Sequence, residues 1–235
     1  MMQYSSNANT EYLISLLGLD EINQTIGDMC LHQHEPIYPI SSGFLSPMYV
    51  QQKESLTKKQ IKQYIKKLPL SDFRTLAVEI FQQLQEDDDK RTISRLNQSV
   101  NFNFSLQKII SSKLPKSTVR EYAFLMQELS QGSPSLSTEA ASILRSIMEQ
   151  QKTIGSKCVV IGNKGGSTIS ILNESFYLKN EDHSTMELAI FIHDPSGSEL
   201  VWLKDKLDLF LFHIVTDGKF RNKVVQTLQV ERIHS

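Results

Sequence analysis

Residues 162 to 168, GNKGGST, set a lysine and a pair of glycines after an apolar stretch, a composition suited to cradling a phosphate with backbone N–H groups. A phosphate loop needs a helix next, whereas Thr168, Ile169, Ser170 and Ile171 alternate like a strand. The spacing therefore predicts a hairpin turn at Asn163, Lys164, Gly165 and Gly166. A second candidate, CLHQHE, brings Cys30, His32, His34 and Glu35 together, and a His-x-His pair on extended chain can offer both imidazoles to one metal ion. No second ligand group follows to complete four-coordination, so the segment reads as a polar loop, and neither a metal nor another cofactor is expected. Third, IFIHDPSG places His193 and Asp194 at a strand end, where they could serve Cys158 or a serine as nucleophile. No serine stands in a nucleophile elbow and Asp-Pro-Ser-Gly is an ordinary turn, so no catalytic residue is assigned.

The clearest charged feature is basic. In TKKQIKQYIKK, Lys58, Lys62 and Lys66 recur every four residues and form a ridge opposite Ile61, Ile65 and Leu68. Such a ridge can touch phosphates or acidic partners, but no aromatic stacking platform accompanies it, so nucleic acid is a possible partner without being the favoured one. The chain as a whole, with 25 basic and 26 acidic side chains, is not one that blankets phosphates.

These residues need elements to carry them. Over residues 10–152 the pattern is helical. Thr10 can cap a segment with Tyr12, Leu13, Leu16 and Leu17 on one side, and Asp20 can cap its continuation after Gly18. A loop rich in Pro, Ser and Gly is expected from about Leu31 to Ser55. Phe73, Leu76, Ala77, Ile80 and Leu84 then form the stripe of a helix facing a core, and Val119, Tyr122, Ala123 and Met126 form another. From Gly155 the texture changes. KCVVIG, STISIL, SFYLK, MELAIFIHD, ELVWL and LDLFLFHIV are short, rich in β-branched and aromatic residues, and separated by turn formers. The expected fold class is α+β: a disordered tail at 1–9, a helical bundle over 10–152, and an antiparallel β-rich domain over 155–235.

The 235 residues suffice for a core without staples; two cysteines, Cys30 and Cys158, fit a reducing compartment, and no apolar run is long enough to span a bilayer. The expectation is a soluble intracellular protein with no membrane partner.

Two phrases, KKLPLSDFR and SKLPKSTVR, each place Leu-Pro before a serine and an arginine. Proline is accepted at a helix entrance and pushes its predecessor out of helical conformation, so each phrase marks a fresh helix start. Taken with Ile61 and Ile65, with Phe73, Leu76, Ala77 and Ile80, with VNFNF at Val100 and with STVRE at Ser117, residues 56–130 resemble the extraterminal (NET) domain of chromatin regulators. The resemblance implies a three-helix module, nuclear location and a partner peptide added as a strand along Val100, Phe102 and Phe104, with Phe73 and Leu76 lining the groove. Asn101 and Asn103 stand where the family carries acidic residues.

The resulting expectation is a non-enzymatic adaptor that binds a protein or peptide through its helical part, in a transcription or chromatin assembly. The polar Ser/Asn/Thr start also fits a pathogen- or virus-encoded factor that binds host proteins. An enzyme would have its site on the β domain, at His193, Asp194 and Cys158.

Overall fold

The computed structural model describes residues 6–86, 104–132, 136–154, 157–181 and 183–231. Among the described residues, six helices come first: α1 (Asn7–Leu17), α2 (Leu19–Asp28), α3 (Ile40–Glu54), α4 (Lys58–Lys67), α5 (Leu70–Glu86) and α6 (Phe104–Ser111). Helices α3 to α6, with Tyr38 just before α3, share a core of Tyr38, Val50, Ile61, Ile65, Phe73, Ala77, Leu106 and Ile110. Then come α7 (Val119–Gln131), α8 (Thr138–Met148), the strands β1 (Glu149–Ile154), β2 (Lys157–Ser167), β3 (Ile171–Asn180) and β4 (Thr185–His193), and finally α9 (Gly197–Thr216) and α10 (Gly218–Glu231).

The four strands pair antiparallel in chain order, β1-β2-β3-β4. Successive side chains of a strand point to opposite faces, and β3 is buried on both. Tyr177 packs with Met126, Leu129 and Met148 under α7 and α8. Phe176 and Leu178 pack with Ile161, Leu188, Leu211 and Val215 under α9. The result is a sheet between two helical layers, with the six-helix cluster beside it. This is an α+β molecule, but its strands are followed by helices.

Several expectations change here. ELVWL and LDLFLFHIV are not strands: they form α9, whose start is fixed by a capping box in which Ser196 accepts from the Glu199 N–H and the Glu199 carboxylate accepts from the Ser196 N–H. The loop expected over 31–55 contains α3, with Pro47 inside it and Gly43 where a Cβ would press on Tyr38 and Phe73. The hairpin does not turn at 163–166. β2 runs through to Ser167 and the turn follows, with Thr168 N–H donating to the Ile171 carbonyl. Helix α1 begins at Asn7, capped by Ser6, inside the stretch read as a tail. The helix expected to complete a module over 56–130 is α7, which lies on β3 and β4.

Among the described residues, no helix is long and apolar enough to cross a membrane.

Candidate functional site

A cleft of about 690 Å³ opens where the helical cluster meets the β2–β3 turn. Ile40 and Phe44 of α3, Gln107 and Ser111 of α6, and Leu114 form one wall; Lys164 to Ile169 with Leu172, Asn173 and Glu174 form the other, and Asn7 of α1 reaches its rim. The volume falls within the range of small-molecule sites.

The strand wall has an open edge. β1 pairs with β2 only from Lys157 to Gly162, while β3 pairs with β2 from Val159 to Ser167. Among the described residues, no strand covers Asn163 to Ser167 on the side away from β3, so alternate N–H and C=O groups along that edge have no ladder partners. The glycines of GNKGGST serve close approach. A Cβ on Gly165 would overlap the Glu174 carboxylate, and one on Gly162 would run into the Tyr177 ring. They permit crossing side chains rather than a turn.

Three polar groups give the cleft its chemistry. Lys164 brings an ammonium, which donates to the Gly165 carbonyl. Glu174 accepts from Asn163 Nδ2 at 3.0 Å, and burial pushes its carboxyl above the usual carboxylate range, with Asn163 and Lys164 opposing that shift and Asp208 adding to it. Ser111 is 2% exposed and its hydroxyl has no hydrogen-bond partner, an unusual condition for a buried polar atom. Sequence reasoning missed Ser111 and Glu174 because nothing local distinguishes them; only the fold brings them to the same cleft as Lys164.

Behind Ile40 and Phe44 lies the amino end of α3. Its N-cap is Pro39, which has no side-chain acceptor to offer. The cap comes from elsewhere: Glu11 of α1 accepts from Ser42 N–H at 2.8 Å and from Ser42 Oγ at 3.1 Å. A carboxylate suits the positive end of a helix dipole.

The residues singled out from sequence lie apart from this cleft. Cys158 pairs with Thr153 at one end of the sheet, whereas His193 pairs with Ile171 at the other, so His193, Asp194 and Cys158 do not converge. Asp194 is instead ion-paired to Lys108 of α6 at 2.5 Å, a contact that holds its carboxyl below the usual range. CLHQHE is a clamp. Glu35 pairs with Arg74 at 2.9 Å and exchanges backbone contacts with Lys116; His34 stacks on Tyr122; Gln33 N–H donates to Glu121. Among the described residues, no group of three or more His, Cys, Asp or Glu could hold a metal ion. Lys58, Lys62 and Lys66 stand exposed along α4, opposite buried Ile61 and Ile65.

Of the groove assigned to a peptide, Phe73 is 0% exposed and belongs to the core, Leu76 packs against that core, and Phe104 opens helix α6 rather than a strand. Val100 and Phe102 lie outside the described residues.

No family model and no curated protein matches the chain. Among solved structures, PBP-A is similar at 14% identity and a TM-score of 0.31, over 67% of this chain and 72% of that one. A class D β-lactamase from Bacillus subtilis is similar at 14% identity and a TM-score of 0.31, over 74% and 81%. The delta mutant of the class D β-lactamase BSU-2 gives 14% identity and a TM-score of 0.29 over the same shares. The expectation of a non-enzymatic adaptor that binds a peptide through its helical part is corrected here. Phe73 is in the core, Leu76 packs against it and Phe104 opens a helix, so these residues do not form a peptide groove. At these TM-scores no activity passes from the similar structures to this chain.

Proposed function

We propose that the cleft binds a short, extended, amide-bearing molecule along the open edge of β2. The observation that carries this reading is that Lys164 to Ser167, which belong to the stretch of β2 left unpaired on the side away from β3, also line the cleft. An exposed edge offers alternating donors and acceptors at the spacing of an extended amide chain, and such edges take up peptide-like ligands by adding a strand. Lys164 supplies a charge for a terminal carboxylate, and Glu174 and Asn173 supply acceptors for N–H groups. Titration with N-acetylated di- and tripeptides ending in free carboxylates, followed by backbone chemical shifts, tests it. Perturbations should centre on 164–168 and 107–114 and weaken about tenfold in Lys164→Met, the loss of one charge-assisted contact. Shifts that leave 164–168 unmoved overturn the reading.

A further inference from the structure

We propose that α1 is a lid on this cleft, held shut by Glu11. Of the eleven residues of α1, only Ile14 is buried; Tyr12, Leu13, Leu16 and Leu17 are all exposed. A helix with so little apolar contact opens locally at low cost, because its own turns are too short to sustain it. What fastens it is polar. The Glu11 carboxylate reaches across to α3 and takes both the N–H and the hydroxyl of Ser42, supplying the cap that Pro39 cannot. One turn earlier on the same face, Asn7 stands at the rim of the cleft. The other end of α1 is a joint: Gly18 ends the helix at φ +84, where side-chain-bearing residues are rarely found, and α2 starts at the next residue. A swing about Gly18 that parts Glu11 from Ser42 lifts Asn7 from the rim and leaves the amino end of α3 to water.

The lid belongs to the cleft proposed above as the peptide site, yet its opening is read on the ligand-free protein, so failure of the lid and failure of peptide binding are separate results. Native-state hydrogen exchange on Glu11→Ala should show the amides of Ser42 and of residues 10–17 exchanging at least about tenfold faster than in the wild type, while the α5 amides from Phe73 to Phe81 keep their protection. Glu11→Gln, which retains an acceptor of the same length, should give a smaller rise at the same positions and serves where the alanine variant fails to fold. Unchanged exchange at Ser42 in these variants overturns the proposal. So does a uniform rise across α3 and α5, which would make Glu11 a support of the whole cluster rather than the catch of a lid.

Discussion

At the scale of single residues, two contacts near the cleft carry sharp consequences. A Cβ at Gly162 would stand 2.6 Å from Tyr177 Cε1, and Tyr177 is fully buried, with its hydroxyl donating to Glu149 at 3.1 Å. The ring cannot retreat without breaking that bond, so Gly162→Ala should cost about 1–3 kcal/mol of stability in denaturant unfolding. Gly166→Ala is the control, since a Cβ there meets nothing within 4 Å. Glu174 sets a pH dependence. Burial raises its carboxyl above the ordinary value in the folded protein, so the folded state holds this proton more tightly than the unfolded chain. Its contribution to stability is therefore present at low pH and is lost as pH rises through the unfolded and then the folded value. Relative to Glu174→Gln, the wild type should lose Tm as pH rises from the ordinary carboxylate range upward. A difference in Tm that stays constant with pH would contradict this.

At the scale of elements, caps proved more informative than composition. Thr118 with Glu121 marks the start of α7 in the sequence, and the structure shows the reciprocal hydrogen bonds of a capping box there. Ser196 with Glu199 has the same spacing, a signal that the reading of LDLFLFHIV as a strand, made on its aromatic and β-branched content, did not use. Tertiary packing explains part of that content: Leu211 and Val215 face the sheet and Phe210 meets Phe220 of α10 at 5.7 Å, whereas Leu209 and Phe212 remain exposed. Ser196→Ala should cost about 1 kcal/mol, with the loss visible as fraying of α9 in exchange rates from Gly197 onward. Helix α3 was illegible for the opposite reason. Its Pro47, its serines and Gly43 are loop-forming by propensity, and the cap that fixes it comes from Glu11, 31 residues away in sequence. The candidate site was legible only as GNKGGST. The lysine and glycines drew attention, but Glu174 and Tyr177, which explain Gly165 and Gly162, belong to the next strand.

At the scale of the whole molecule, specific polar ties hold the helical cluster to the entrance of α7, which packs on the sheet. Glu35 is shared between Arg74 and the Lys116 N–H, and the Arg74 Nε is buried without a partner of its own. Glu35→Ala should therefore destabilise by about 2 kcal/mol, because it removes a charge-assisted acceptor from two donors at once. Thermal unfolding of the full chain checks the figure. The strand order also sets a time course. Each strand pairs with its immediate successor across a short connection, so the sheet needs only local loop closures. The clamp needs Gln33 to find Glu121, 88 residues along the chain. During refolding, the amides of β2 and β3 should gain protection well before those of Gln33 and Glu35. The cleft would then be assembled last, as the helical cluster docks against a sheet already formed.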